Sequence, residues 1–581
     1  MAEDDRAHGP APPLELVDSR RLTGPNLLWD RPGAVLDVAL SPHADATLLD
    51  RAVELWATAA RRILDAVGWG AEATRHRSYP RGASLAISAP IDALYAATEV
   101  DEQAWEAALD QLTGRAPQSS LERDALRLRS AIAAERNPAL LELARAARER
   151  GLLFLSDDDR VSVGSGTGAA TWGVREIPDP ATIDWGARHD VPIALVTGTN
   201  GKTTTVRLLA AMARAAGLTP GLCSTDGIRV GDAPVESGDY SGPGGARTVL
   251  RHREVQLAVL ETARGGMLRR GLGTDRAEVA VVTNVADDHL GELGVHDLAA
   301  LAEVKLIVAR VARRLVLNAD DEALVAAATR RELEPVWFAL HPASPLAAEA
   351  LARGATAFLL EGDELVRRRG AAERATLARA SQMPLACAGA ARHNLANALA
   401  ACAAADALGL PDRAVRDALV AFGADPGDNP GRLNRYRVGG VDVLLDFAHN
   451  PHGLDALLAT ARALARGRLS VVLGQAGDRS DESIRELARA VARSAPDHCV
   501  VKSLGEYLRG RPQGEVESIL EDELVRRGVP AAAIERAGGE LEALERCLAW
   551  ARPGDLVLQI THSHRDQVIA RLEELGAASS R

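Results

Sequence analysis

The chain has 581 residues, 47% of them hydrophobic, enough for roughly three or four domains with cores of their own. Lys plus Arg is 68 against 80 Asp plus Glu, and the resulting formal charge of -12 argues against a general nucleic-acid binder. Cys223, Cys387, Cys402, Cys499 and Cys547 are scattered without a CxxC pair, and the opening MAEDDRAHGPAPP is acidic and Pro-rich with no long apolar run after it, so neither a disulfide framework, a secretory leader nor a membrane anchor is expected. The expected location is the cytoplasm.

Residues 1–155 mix extended runs (35–40 and 84–88) with amphipathic helical patterns (50–67 and 121–150), which predicts a small α+β domain. Residues 156–185 carry SDDD, GSGTG and PDP with little periodicity and read as a connector. From 186 to 430 short apolar runs alternate with helices: IALVTG, VQLAVLET, AEVAVVTNV, RRLVLNAD. The same rhythm resumes over 431–581 in VDVLLDFAHN, LSVVLGQAGD, HCVVKS and GDLVLQITHS. Such alternation predicts α/β architecture, with a parallel sheet in the central domain and a Rossmann-like sheet in the C-terminal one.

IALVTGTNGKTTTVRLLAAMARAAG places Gly198, Thr199, Asn200, Gly201, Lys202, Thr203 and Thr204 between a buried strand and a helix. Glycines allow the tight turn that points successive amides at phosphate oxygens, and the helix N-terminus adds a favourable dipole. Lys202 is expected on the outer phosphates of ATP and the Thr203 hydroxyl on Mg²⁺. Val196 stands where the longer form of this loop has glycine, so the motif is the short G-x-x-G-K-T variant.

TGTNGKTTT resembles the nucleotide loop of the Mur ligases, and further matches follow in family order: LETARGGMLRRGLG, VVTNVADDHLGELGVHDL, ARHNLANALAA, GRLNRY, DFAHNPHG and GDRSDE. Within that family the spelling is closer to cyanophycin synthetase than to the cell-wall enzymes. RRLTGPNLLW and YPRGASLAISAPIDALYAATEV resemble its N-terminal part, while the connector stands where that enzyme has an ATP-grasp domain. The resemblance implies a carboxylate-amine ligase that uses ATP to make an acyl phosphate and adds an amino acid to an aspartyl-type or peptide carboxylate. A homo-oligomer, or a separate ATP-grasp partner protein, is implied as a possible assembly.

By the same resemblance Glu261 shares a Mg²⁺ with Thr203, and His289 binds a second. Lys305 corresponds to a lysine that many relatives carry carbamylated. Asn394 faces the adenine edge, and Arg432 reaches the phosphates from the linker between domains. Asp446 accepts from the ribose hydroxyls, with His449 and Asn450 facing the nucleotide. Asp478 and Arg479 are candidates for contact with the amine substrate. THSHRDQ, containing His562 and His564, reads as an exposed loop, since one His-x-His is weak as a metal signature. Two other readings stand beside the ligase: a non-catalytic nucleotide-binding partner of an ATP-grasp ligase or a cyanophycin-type polymer, and a generic P-loop ATPase or kinase.

Overall fold

The computed structural model describes residues 13–117, 119–288, 290–576 and 578–579. His289 lies outside the described residues. None of the described helices is long and apolar enough to cross a membrane.

Among the described residues the first unit is a four-stranded antiparallel sheet in the order Leu14–Leu22, Gly33–Leu40, Gly82–Ser88, Thr74–Tyr79, covered by helices Thr47–Val67 and Leu94–Thr113. Trp56 and Trp105 are buried between the layers, and the Trp56 indole N–H donates to Asp101 at 2.8 Å, which satisfies the one polar atom its ring brings inside. The helical pattern over 121–150 is two helices, not one. Leu121–Glu135 ends before Asn137, whose side chain accepts from the Leu140 amide at 3.2 Å and caps a new helix with Pro138 in its first turn.

The segment expected to be a connector is folded. Strands Phe154–Ser156, Arg160–Val163 and Ala170–Gly173 form a small antiparallel sheet whose Val161 and Val163 pack on Leu140, Leu143 and Ala147. Three or four residues per strand are too few to show a period in the sequence.

Among the described residues the central sheet has eleven strands. Its parallel core runs Pro220–Ser224, Leu257–Glu261, Ile193–Thr197, Ala277–Val282, Ala312–Asn318, Val336–Ala339, Thr356–Glu361. Ile193–Thr197 and Leu257–Glu261 are buried along their whole length because helices cover both faces, which is why they read as continuous apolar runs. Antiparallel hairpins extend the sheet at both ends, at Gly227–Val230 with Ala233–Ser237 and at Glu364–Arg369 with Glu373–Arg379. Helix Arg392–Ala407 is almost entirely buried against helix Lys202–Ala215 and the sheet. Its run of alanines permits that close approach, and Leu395 and Leu399 each contribute about 1.5–3 kcal/mol by burial.

Among the described residues the last unit has a seven-stranded sheet in the order Ile534–Ala537, His498–Lys502, Leu469–Leu473, Leu556–Ile560, Val441–Asp446, Asn434–Val438, Ala578–Ser579. The first five are parallel and Asn434–Val438 runs antiparallel to both of its neighbours, with helices on both faces.

In the central sheet the chain leaves Ile193–Thr197 toward Pro220–Ser224 on one side, returns to fill the gap with Leu257–Glu261, and then crosses to Ala277–Val282 on the other side. The carboxyl ends of these strands therefore open a crevice where the winding reverses, the usual place for a ligand in an open α/β sheet.

Candidate active site

The glycine loop occupies that crevice. Gly198 has φ 148°, and a Cβ there would come within 1.9 Å of Thr283 Oγ1. Gly201 has φ 84°, and its Cβ would meet Asn397 Oδ1 at 2.1 Å. Both glycines are thus required by shape as well as by backbone angle. The loop is held from the neighbouring strand end. The Asn200 amide donates to Asn284 Oδ1 at 2.9 Å, while Thr283 Oγ1 and Asn284 Nδ2 donate to the Asn200 carbonyl at 2.7 and 3.0 Å. Lys202 Nζ bends back to the Thr199 carbonyl at 3.0 Å.

At the next strand end, Thr203 Oγ1 donates to Glu261 Oε2 at 2.8 Å. Glu261 is 1% exposed, and its other oxygen, Oε1, has no hydrogen-bond partner among the described residues. Burial pushes this carboxyl above its ordinary range, against the pull of Lys202. An acid buried with half its acceptor capacity idle, beside a hydroxyl and a lysine, is an incomplete oxygen ligand set.

Lys305 ends helix Leu298–Lys305 and is 3% exposed. Burial, reinforced by Lys202, holds its amine well below the usual lysine value, and Asp288 opposes the shift only in part. The side chain is not snorkelling to solvent.

The C-terminal unit closes the crevice from above. Asp446 ends its strand and accepts from the amides of Leu433 and Ala448 at 2.8 and 2.9 Å, and burial raises its pKa against the nearby Arg432. The Arg432 guanidinium lies 4.5 Å from the centre of the Phe447 ring. Asn450 exchanges side-chain hydrogen bonds with Asn200 at 2.9 and 3.1 Å, and His452 Nδ1 lies 3.0 Å from Asn200 Nδ2. Asp288 approaches His449 at 3.7 Å and Arg479 at 3.3 Å. Asp226 takes Arg207 from its own unit at 3.0 Å and Arg565 from the other at 2.8 Å. Burial would raise its pKa, but Arg432, Arg207 and Arg565 together hold it down.

A cavity of about 380 Å³ lies between the units. Of the residues expected at the site, Thr199, Asn200, Gly201, Lys202, Thr203, Thr204, Glu261, Asn394, Arg432, Asp446 and His449 line it. Asn450 stands at its rim through Asn200. Lys305, Asp478 and Arg479 do not line it, and Asp478 is exposed on its loop. Asn394 is not a helix cap: its Nδ2 donates to the Leu385 carbonyl at 3.0 Å, and its Oδ1 accepts from Asn397.

The THSHRDQ loop is half-buried rather than exposed. His562 packs edge-on to Phe447, with Nε2 3.2 Å from the Ala448 carbonyl, and burial keeps it well below its usual pKa. Glu540 gathers the loop by accepting from the His562 and His564 amides at 2.5 and 2.8 Å and from the fully buried Lys502 at 2.6 Å. Asn284, Thr283, Thr225 and His452 were not expected at the site. The TN of AEVAVVTNV carried a signal, since polar residues directly after a buried strand face the crevice, whereas His452 lies in the helix beyond its strand.

The N-terminal unit touches the far side of the same region. Arg77 Nη1 and Nη2 donate to the carbonyls of Gly294 and Leu293 at 2.9 and 3.0 Å, and Tyr79 sits against His296 with ring centres 5.6 Å apart. Gly294 has φ 71°, and a Cβ on it would strike the Tyr79 ring.

Residues 196–405 match the Mur ligase middle domain, and residues 431–560 match the Mur ligase glutamate ligase domain. The chain is also 30% identical to the UDP-N-acetylmuramoyl-L-alanyl-D-glutamate–2,6-diaminopimelate ligase of Geobacter metallireducens over 426 residues, 67% of this chain and 78% of that one. The chain belongs to the Mur ligase family. Among Mur-ligase relatives it is 38% identical to the cyanophycin synthetase of Trichormus variabilis over 380 residues, 64% of this chain. That match spans only 41% of the synthetase's own length. Mycobacterium tuberculosis folylpolyglutamate synthase complexed with ADP is a structural neighbour at 20% identity and TM-score 0.48, covering 67% of this chain and 91% of that one.

Proposed function

We propose that the chain is an ATP-dependent carboxylate-amine ligase that makes an amide through an acyl phosphate, adding an amino acid to an aspartyl-type or peptide carboxylate. The observation that carries this reading is the Thr203 Oγ1–Glu261 Oε2 contact of 2.8 Å with Glu261 Oε1 left unpartnered beneath the glycine loop. A P-loop binding module has no use for a buried, half-satisfied acid at that point, whereas phosphoryl transfer depends on placed charge.

The residues fit ATP and magnesium. Thr203 and Glu261 would hold the metal, with His289 as the residue proposed for a second ion, and magnesium supplies neutralisation of charge on the transferred phosphoryl group. The loop amides and Lys202 would hold the outer phosphates, Arg432 would reach them from the linker, and Asp446 would accept from the ribose. Asn394, His449 and Asn450 complete the nucleotide wall. A carboxylate oxygen of the acyl substrate attacks the γ-phosphorus and ADP leaves. The amine then attacks the acyl carbon, and phosphate leaves as the amide forms. Lys305, desolvated and therefore disposed to the neutral amine, is suited to take up CO₂ as a carbamate and to present an anion near Lys202. Arg479, drawn toward the cleft by Asp288, is the better placed of the two residues proposed for the amine substrate. The cyanophycin-synthetase likeness supports a basic amino acid as that amine.

Purified protein with ATP, Mg²⁺, a panel of amino acids and Asp-containing peptides is expected to release ADP only with the right pair. Lys202→Ala is expected to release none. A folded wild-type chain that releases no ADP across the panel, while still binding ATP, would sink the ligase reading in favour of a nucleotide-binding partner protein.

A further inference from the structure

A second cavity, of about 160 Å³, lies where the N-terminal unit, the small three-stranded sheet and the central unit meet. It shares no lining residue with the nucleotide cavity, and the segment Leu272–Arg276 that walls it leads into the amino end of strand Ala277–Val282, whereas nucleotide residues follow the carboxyl ends. Its wall is mixed: Pro25, Pro32, Ile91, Leu152, Phe154 and Leu272 supply an apolar part, and Thr23, Asp30, Ser156, Thr274, Asp275 and Arg276 a polar one. Into this wall the helix Pro243–Arg251 sends Arg247, which is 9% exposed.

Arg247 is not paired with a carboxylate among the described residues. Its one side-chain hydrogen bond there goes from Nη2 to Thr23 Oγ1 at 2.8 Å. The acids whose charge it feels are engaged elsewhere, Asp157 by Arg251 and Asp158 by Arg21 at 2.6 Å. Those at the cavity wall are engaged too, Asp275 by Arg276 at 3.2 Å and Asp30 by Arg310 at 3.0 Å. Burial lowers the guanidinium to about 10, the mark of a cation whose surroundings do not compensate it. Arg148, exposed on helix Pro138–Glu149, also lines the cavity and has no ion pair among the described residues. A buried cation lacking its counter-charge costs stability, and a planar fork opening into a hollow with a partly apolar wall matches a carboxylate with a short aliphatic body.

We propose that this cavity binds a small organic carboxylate, held by Arg247 with Thr23 and Arg148, that bridges the N-terminal and central units. The site is separate from the one assigned to ATP and does not depend on the ligase reading. Its ligand adds a bridge between two units that already meet through Arg77 with Leu293 and Gly294 and through Arg247 with Thr23, so occupancy stiffens their docking.

The test uses the full-length chain saturated with Mg²⁺ and ADP, so that the phosphate loop is filled, and titrates succinate or inorganic phosphate at constant ionic strength by calorimetry and thermal unfolding. Succinate is expected to bind saturably and raise Tm. Arg247→Met is expected to weaken binding by at least ~10-fold, as loss of a charge-assisted bond implies, and Arg148→Ala to weaken it less. Lys202→Ala should leave it unchanged. Undiminished succinate binding by Arg247→Met, its loss in Lys202→Ala, or binding of phosphate alone overturns the proposal. If Arg247→Met fails to fold, full affinity in the exposed Arg148→Ala variant overturns it equally.

Discussion

Asn200 and Asn450, 250 positions apart, donate to one another across the cleft, so that the tip of the glycine loop is joined directly to the start of a helix in the other unit. Asn450 has a second duty: its Oδ1 accepts from the Gly453 amide at 2.9 Å and caps that helix. Asn450→Asp keeps the cap and removes the donor, whereas Asn450→Ala removes both. We expect both variants to bind ADP more weakly, with only Asn450→Ala losing about 1 kcal/mol of stability in urea unfolding. A cycle with Asn200→Ala should return a coupling on the order of 1 kcal/mol in ADP binding. Strict additivity would mean that the pair does not hold the units closed.

Glu261 carries a charge that burial opposes. Its raised pKa means that the folded chain pays for ionisation above that value and recovers the cost as pH falls through it. Glu261→Gln keeps the shape, so the metal-free variant is expected to melt higher than wild type at neutral pH, by about 1–3 kcal/mol in stability. ADP release should fall by at least ~10²-fold. A variant less stable than wild type without metal would contradict the assignment of Glu261 as an unsatisfied ligand.

Lys305 has its folded pKa depressed, so between that value and the unfolded one the unfolded chain takes up a proton that the folded chain refuses. Stability should therefore rise with pH through that window, and Lys305→Met should show a flatter Tm profile approaching about pH 10. Carbamylation is read separately, as a ¹³C carbamate signal in protein equilibrated with labelled bicarbonate. Its presence in Lys305→Met, or its absence in wild type, removes Lys305 from that role.

His393 lines the cavity between the central and C-terminal units, and burial lowers it to about 4 from an ordinary 6.5. Protonation of the unfolded chain then draws stability away as pH falls from 6.5 toward 4. His393→Asn should reduce the loss between those two values, measured as the urea midpoint, while both proteins remain similar at neutral pH. An equal acid loss in both would show that the imidazole is not buried.

Much of this was legible in the order of residues. Buried parallel strands are continuous apolar runs, and the crevice residues Lys202, Thr203, Glu261 and Asp446 follow such runs directly, so their convergence could be read from strand ends. The edge hairpins could not: Glu364–Arg369 is rich in arginines that pair with Glu361, Asp406 and Asp412, partners fixed only by the fold. The three short strands after residue 153 were hidden by their turns, and the helix break at Asn137 by an amphipathic pattern that continued across it. His452 owes its place to a contact with Asn200 over 252 positions, which no local window spans. His562 was misjudged because its cover, Phe447, comes from a distant strand end.

The grip of Arg77 and Tyr79 on Leu293–Gly294 also bears on how the molecule can be dissected. That loop continues directly from Asp288, whose carboxylate meets Arg479 of the opposite unit, so a side chain on the outermost sheet is two steps removed from the closing cleft. Trimming the first 155 residues to obtain a minimal catalyst would cut away a brace rather than an ornament, and a fragment that still folds would carry the Leu293–Gly294 loop without the grip of Arg77.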